Sequence, residues 1–378
     1  MAEAPLAVKI AGVVAALAAG TTAGVLAERR FVRRKLTADP WLRDRLGSLR
    51  GERVLVESSD GTELHVEVDT PPGFDPTRHP TVVFSHGYTL NHDTWHFQRE
   101  AMRPFTRLVF WDQRAHGRSK RGPAGSHTID QLGHDLHRVI SDVVPEGPVM
   151  LVGHSMGGMT VMSLAAHYPE LIRQRVVGVA LLGTSAAGIM DVPLGLPAPL
   201  ARAANRLTPV VAPQLVARGP LIEATRERAS DLSKVIMHRY SFGSSVPVEV
   251  AEFTFDMINA TPVEVVGEFL PTFQTHDKIQ ALESLEGIEV LVMVGTADLM
   301  TPPQHSYEIV KRVAHAELVL LPETGHMLMV ERPDDVNREL LALFRRAERS
   351  VDPVRGGKRA AEPRSAGVEP EDPEQPDA

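Results

Sequence analysis

The chain has 378 residues, of which 43% are hydrophobic and 23% charged, so it is long and apolar enough to bury a sizeable core. Its formal net charge of -8 gives no electrostatic reason to expect a nucleic acid as a partner. The absence of cysteine excludes disulfides, a thiolate nucleophile and cysteine-bound metals.

The first predicted element is an uncharged segment at residues 10–27, "IAGVVAALAAGTTAGVLA", whose length is near the minimum for a helix that crosses a bilayer. Five basic residues follow within residues 29–35, which favours a membrane anchor with the rest of the chain on the cytoplasmic side. A cleaved signal peptide, which would make the protein secreted or extracytoplasmic, and a soluble amphipathic leader are the alternatives. We therefore predict membrane association through residues 1–35.

A β-hairpin and six buried strands are predicted next. Residues 51–69 alternate apolar and polar side chains around "SSDG", which indicates a hairpin with Asp60 and Gly61 in its turn. Continuous apolar runs, typical of strands covered on both faces, lie at residues 81–87, 107–112, 148–155, 176–183, 288–295 and 316–323. Helical patterns lie at residues 91–103, 128–143, 156–168, 303–314 and 334–347. This alternation predicts an α/β fold with a mostly parallel, eight-stranded sheet flanked by helices.

The alternation of strands and helices is interrupted once, after the sixth strand. Residues 186–280 are helix-like, apolar and proline-rich without an obvious buried strand, so we expect an inserted helical cap. Residues 36–185 and 281–348 then form the core. Residues 349–378 contain no aromatic side chain and many Pro, Gly and charged residues, which predicts a disordered tail.

The stretch "LVGHSMGGMT" places Ser155 between two glycines directly after an apolar run. A serine hydroxyl becomes a nucleophile when a base removes its proton and a tight turn projects it from the fold, and such a turn requires small neighbours. Gly153 and Gly157 supply them at G-x-S-x-G spacing, with a strand before and a helix after. We predict that Ser155 is the nucleophile, and a structural glycine turn is the alternative.

An acid and a histidine follow in the order that this nucleophile turn requires. Asp298 lies just past an apolar strand in "VGTADLMTPP", and His326 lies on the loop before the last helix in "PETGHMLMVERP". A helix-capping role for Asp298 and a hydrogen-bonded loop role for His326 are the alternatives. The rival acids lie in the cap or too near the histidine in sequence; they are Asp256, Asp277, Glu323 and Glu331.

The oxyanion of a tetrahedral intermediate needs at least two backbone donors. One is the N–H of Met156, which begins the helix after the nucleophile. The other is the N–H of Tyr88, in the loop after the third strand, where Gly87 lets the backbone turn toward the pocket. His86, in the same loop, is interpreted as a structural histidine.

From about residue 51 to residue 346 the chain resembles the α/β-hydrolase fold-1 serine hydrolases, which include esterases and lipases. The resemblance is carried by "HGY" at 86–88, "DQRAHGRS" at 112–119, "GHSMGG" at 153–158, Asp298 and His326. It implies that residues 112–119 shape the loop near the pocket and that Asp112, Arg114 and His116 are structural. Within this stretch "RAHG" departs from the usual "RGHG".

The predicted function is cleavage of a small-molecule carboxylic ester with an apolar acyl group, through an acyl-enzyme and without a cofactor, and a lipid-like ester is one candidate substrate. Ser155 and the single cap tyrosine, Tyr240, separate the chain from related epoxide hydrolases and haloalkane dehalogenases. A thioesterase, acyltransferase, carbon-carbon hydrolase or perhydrolase could use the same triad, and a non-enzymatic receptor is a further alternative. Five large apolar cap residues are expected to line the pocket: Phe253, Phe255, Met257, Phe269 and Phe273.

No metal site is predicted from the histidine spacing. His92 with His96, and His134 with His137, have helical spacing but no clear third ligand, and we expect both pairs on polar helix faces.

Overall fold

The sheet begins with an antiparallel hairpin. In a computed structural model of the chain, residues 39–189, 209, 211–219 and 230–351 are described, and the first strands are β1 (Glu52–Glu57) and β2 (Glu63–Asp69). Gly61 has a φ of 81° in the intervening turn, a value that favours glycine. The hairpin predicted around "SSDG" is therefore present.

Six further strands complete one eight-stranded sheet. They are β3 (Thr81–Ser85), β4 (Leu108–Trp111), β5 (Val149–His154), β6 (Val176–Leu182), β7 (Glu289–Gly295) and β8 (Glu317–Leu321). The order across the sheet is β1-β2-β4-β3-β5-β6-β7-β8. β2 pairs antiparallel with β4, and all pairs from β4 through β8 are parallel. The predicted α/β fold with a mostly parallel sheet is confirmed.

The α-helices follow in chain order. They are α1 (Pro40–Arg43), α2 (His96–Met102), α3 (Ile129–Val143), α4 (Met156–His167), α5 (Pro169–Arg175), α6 (Ser230–Ser241), α7 (Val248–Ala260), α8 (Val263–Thr275), α9 (Pro303–Arg312), α10 (Leu328–Glu331) and α11 (Pro333–Val351). Helices α1, α5 and α10 have no counterpart in the sequence prediction. The predicted helix at 91–103 is a 3₁₀ turn, His92–Trp95, followed by α2.

Helices cover both faces of the sheet because alternate strand residues point to opposite sides. Val83 and Leu151 pack in a core shared with α3, α4, α5 and α9. Val82 and Met150, one residue away along each strand, pack in a second core with α2, α7 and α11. Both faces being apolar explains why the parallel strands read as continuous hydrophobic runs.

Helices α6, α7 and α8 lie between β6 and β7, inside the range predicted to form a cap, and residues 211–219 are also helical. An isolated bridge pairs Ala187 with Asp277, so the chain leaves and rejoins the core at neighbouring positions. Residues 190–208, 210 and 220–229 lie outside the described residues. The exact limits of the cap and its role as a lid stay predictions.

The two ends of the chain lie outside the described residues, including the predicted anchor at 10–27 and most of the predicted tail. Helix α11 continues to Val351, so residues 349–351 are helical rather than part of a tail. Among residues 39–189, 211–219 and 230–351, no helix has the length and hydropathy needed to cross a membrane.

Candidate active site

Ser155 occupies the sharp turn between β5 and α4. Its φ of 51° and ψ of -117° are strained for a residue other than glycine, at a cost of roughly 1–3 kcal/mol. Its N–H donates to the Leu182 carbonyl at 2.9 Å, and its carbonyl accepts from Thr184 Oγ1 at 2.7 Å. These bonds hold the strained turn, and Ser155 remains 9% exposed.

Asp298 and His326 meet where β7 and β8 end. Asp298 Oδ2 accepts a hydrogen bond from His326 Nδ1 at 2.8 Å. The other oxygen, Oδ1, accepts from the N–H groups of Met300 and Thr301 at 2.8 and 2.9 Å, and Thr301 Oγ1 donates to Oδ2 at 2.9 Å. The carboxylate is therefore fixed in place. With its proton on Nδ1, a neutral His326 presents a lone pair at Nε2.

The alternative that Asp298 caps the next helix is not supported by the geometry. Helix α9 begins at Pro303, and its N-cap residue is Pro302. Asp298 instead binds the loop amides that precede the helix. Three of the rival acids are exposed: Asp256, Asp277 and Glu323.

His154 joins the nucleophile turn to the histidine loop. Its Nε2 donates to the His326 carbonyl at 3.0 Å, and the two ring centroids are 4.7 Å apart. Burial lowers the pKa of His154 well below its ordinary value, which keeps this ring neutral. Since His154 immediately precedes Ser155, the segments that carry the predicted nucleophile and base are in direct contact.

The predicted oxyanion loop, after β3, packs directly on the nucleophile turn. A Cβ at Gly157 would collide with the Ser85 carbonyl oxygen, and a Cβ at Gly87 would lie 2.7 Å from His154 Nδ1. Gly153 is equally confined, by the carbonyl of Gly157. Glycine at these positions permits the close approach of the loop after β3 and the nucleophile turn.

The two predicted oxyanion donors lie on these packed segments. Met156 is the first residue of α4, so its N–H has no acceptor within the helix. The side chains of Met156 and Tyr88 belong to one apolar cluster. The structure thus brings the two residues into the same small region beside Ser155.

His86 supports the predicted oxyanion loop. Its Nε2 accepts from the Gln113 N–H at 2.9 Å, so Nδ1 carries the proton and donates to the Gly87 carbonyl at 2.8 Å. Burial lowers the pKa of His86 to about 4. The ring is therefore neutral and bonded to backbone on both sides, as a structural histidine would be.

Comparison with known proteins identifies the family of the chain. A sequence model of the alpha/beta hydrolase fold matches residues 80–333, more than half of the chain. The chain belongs to the alpha/beta-hydrolase family. Together with the relatives below, this membership shows that the protein is a hydrolase.

Two curated relatives and one solved structure illustrate which proteins the chain is similar to. The chain is 27% identical over 269 residues to the mouse sn-1-specific diacylglycerol lipase ABHD11, covering 68% of this chain and 78% of that protein. It is 26% identical over 276 residues to 3-oxoadipate enol-lactonase 2 of Acinetobacter baylyi, covering 72% and 91%. A thermophilic esterase from Thermogutta terrifontis has the same fold, with a TM-score of 0.61 at 24% identity, covering 79% of this chain and 100% of that one.

The five apolar residues predicted to line the pocket divide between two clusters. Phe269 and Phe273 of α8 pack with Met156, and the Phe273 ring lies 5.1 Å from the Tyr88 ring. Phe255 and Met257 of α7 belong to the core that includes Met327, with Phe253 against its edge. Phe253 also lies close to Gly47, since a Cβ there would come within 3.0 Å of its ring. Only the α8 pair contacts the predicted oxyanion side of the site.

Two polar residues of the site were missed by sequence reasoning. Thr301 has no predicted role in "ADLMTPP", although an aspartate two or three residues before loop amides commonly accepts their hydrogen bonds. His154 lay inside the nucleophile motif, but its bond to the His326 carbonyl spans 172 residues of sequence. No local pattern could have revealed that contact.

One buried cluster of the described residues offers potential metal ligands. His65, His92 and Asp112 each place one ligand atom within 4.8 Å of the others. Glu67 lies beside them and accepts from Arg99 Nη1 at 2.8 Å and Arg118 Nη1 at 2.9 Å. A divalent cation would meet these two guanidinium groups, so the surroundings favour an ion-pair network over a metal centre.

This network corrects the prediction that His92 and His96 lie on a polar helix face, since they are 2% and 4% exposed. His92 is buried because its Nδ1 donates to Asp112 Oδ1 at 2.8 Å. Burial alone would lower the pKa of His92, but Asp112 and Glu67 outweigh it and raise the pKa to about 9.

The raised pKa of His92 predicts a pH dependence of stability. Because the folded protein binds the proton more tightly, this contribution is complete below about pH 6.5 and is lost as the pH rises to about 9. In that window the free energy of unfolding should fall by up to about 1.4 kcal/mol per pH unit. The pKa values of Glu67 and Asp112 are lowered, so these two groups change the free energy of unfolding only at acidic pH.

Urea unfolding of wild type and His92→Gln between pH 6 and pH 9.5 measures this slope, which the substitution should flatten. His79→Gln is the matched control, because it removes a more exposed histidine–carboxylate pair, with Glu348 at 2.7 Å. Equal slopes in wild type and His92→Gln would show that His92 is neutral in the folded protein.

Proposed function

We propose that the protein is a serine hydrolase that cleaves a carboxylic ester with an apolar acyl group through an acyl-enzyme. The observation that carries the proposal is the 2.8 Å bond between His326 and Asp298, on loops packed against the strained Ser155 turn. A lipase and a lactonase among the relatives support an ester as the substrate.

The proposed reaction begins when His326 Nε2 takes the Ser155 hydroxyl proton and Oγ attacks the ester carbonyl carbon. The carbonyl electron pair moves to oxygen, where the N–H groups of Met156 and Tyr88 stabilise the negative charge. Collapse of this intermediate breaks the bond to the alcohol, which leaves with the proton from His326. Water then attacks the acyl-enzyme by the same steps, while Asp298 keeps the proton of His326 on Nδ1.

The nucleophile assignment predicts that Ser155→Ala abolishes covalent labelling by a fluorophosphonate, because only an activated serine reacts with it. Asp298→Asn should lower kcat strongly, by a factor on the order of 10⁴ as measured in a well-studied triad. Gel fluorescence and ester hydrolysis measure the two effects, and circular dichroism checks the fold. Undiminished labelling of Ser155→Ala would refute the assignment.

The apolar wall beside Met156 suggests that the acyl chain is the part of the substrate the pocket selects. Phe269 is fully buried, and its ring lies 6.1 Å from the Tyr88 ring. Burying each acyl methylene is worth about 0.8 kcal/mol, so the four methylenes that distinguish a hexanoyl from an acetyl group supply roughly 3.2 kcal/mol, or about two-hundredfold in kcat/KM.

We therefore predict that kcat/KM for p-nitrophenyl esters rises from acetyl to hexanoyl and that Phe269→Ala flattens this rise. Phe253→Ala is the matched control, because this phenylalanine of the neighbouring helix packs beside Gly47 and not in the cluster with Met156. In this control, kcat/KM should rise with acyl-chain length as steeply as in the wild type. An optimum at acetate in the wild type would contradict the apolar acyl group.

The location of the enzyme is a separate proposal, which rests on the sequence of residues 10–27 and the five basic residues that follow. We expect the full chain to sediment with membranes, and deletion of residues 1–35 to release soluble, active protein. Fractionation followed by fluorophosphonate labelling measures both. A secreted mature form that begins near Glu28 would identify a signal peptide instead.

A further inference from the structure

Glu331, at the end of α10, is a buried carboxylate whose hydrogen bonds go to backbone amides and one hydroxyl. Its Oε1 accepts from the Ser244 N–H and from Ser244 Oγ, both at 2.6 Å. Its Oε2 accepts from the Gly325 N–H at 2.8 Å, and the Gly243 N–H lies 3.1 and 3.2 Å from the two oxygens. Both oxygens of this residue, which is 8% exposed, are thus engaged.

These amides belong to two different parts of the molecule. Gly325 immediately precedes His326, whereas Gly243 and Ser244 lie between α6 and α7. The two segments cross closely, since a Cβ at Gly325 would lie 2.6 Å from the Gly243 nitrogen. On the other side of His326, the Met327 N–H donates to the Ser241 carbonyl at 2.9 Å.

We propose that Glu331 is a positioning residue that sets the place of the His326 imidazole by holding the Gly325 amide and binding the histidine loop to the α6–α7 loop. The inference rests on the proposed function, in which His326 is the base for Ser155. Buried amides need an acceptor, and hydrogen bonds to a charged acceptor are about twice as strong as neutral ones. The path of the chain into His326 therefore depends on this carboxylate.

Glu331→Gln tests the charge and the second acceptor while keeping the shape. A glutamine side chain has one acceptor oxygen and one NH₂ donor, so in either orientation the NH₂ faces the N–H of Gly325 or the donors of Ser244. We expect kcat and the rate of fluorophosphonate labelling to fall on the order of 10- to 100-fold, because small displacements of a reacting group have effects of that size. KM should change much less.

Glu323→Gln is the matched control, because it removes the same charge from an exposed position on the same loop. It should retain the kinetics of the wild type. If Glu331→Gln does not fold, Glu331→Asp keeps the charge but is one methylene too short to reach both segments, and it should show the same selective loss of kcat.

A spectroscopic measurement separates this inference from the proposed function. The proton that His326 Nδ1 donates to Asp298 should give a low-field NMR resonance, assigned by its loss in His326→Ala. It should shift or broaden in Glu331→Gln and stay unchanged in Glu323→Gln. If wild type is neither labelled nor active on esters, the proposed function is wrong, yet this resonance still reports whether Glu331 positions His326.

A purely structural role for Glu331 would give a different set of results. The melting temperature of Glu331→Gln would fall, while kcat, the labelling rate and the His326 resonance, all measured well below that temperature, would match the wild type. That outcome would overturn the inference.

Discussion

The strained backbone of Ser155 is the constraint on which the rest of the site depends. Its φ of 51° is unfavourable for a residue with a Cβ, so the turn persists only because its surroundings hold it. The Leu182 carbonyl and the Thr184 hydroxyl provide those bonds. Since His154 and Leu182 are paired across β5 and β6, the register of these two strands fixes the position of the turn.

The parallel sheet explains how distant residues reach this turn. Carboxyl ends of parallel strands share one edge, and Ser155, Asp298 and His326 follow β5, β7 and β8. Gly183 follows β6 and has a φ of 49°. It lies next to Asp298 and His326, since a Cβ there would come within 3.3 Å of Asp298 Oδ2. The loop after β3 reaches the same edge and packs on Gly157. Each group is thus held by a short segment anchored in the core.

The sequence predicts those features that have a local pattern. Continuous apolar runs predict the strands, and the strand–turn–helix context of "GHSMG" predicts the position of Ser155. The order of Asp298 and His326 along the chain then identifies the pair that the structure brings within 2.8 Å.

Features that depend on tertiary pairing escape this reasoning. His92 is buried because it pairs with Asp112, which lies twenty residues away in the sequence. The polar residues that surround His92 in the sequence therefore do not indicate its exposure. Phe253 and Phe269 look alike in sequence, yet they pack in different clusters because α7 and α8 present them to different neighbours. In sequence Glu331 is only a rival acid, because its partners are main-chain amides, which any sequence provides, and the Ser244 hydroxyl.

The side chains of Tyr88 and Glu331 connect the helices between β6 and β7 to the segments that carry the proposed chemistry. The Tyr88 hydroxyl donates to the Val266 carbonyl of α8 at 2.6 Å, and burial raises the pKa of this phenol, which keeps it a donor. Glu331 makes the second connection, from the α6–α7 loop to the amide before His326. Movement of these helices would therefore displace the proposed oxyanion donor and the proposed base together. Under the proposed function, acyl-chain contacts with α8 would affect kcat as well as KM, because binding energy remote from the ester would help to align the reacting groups.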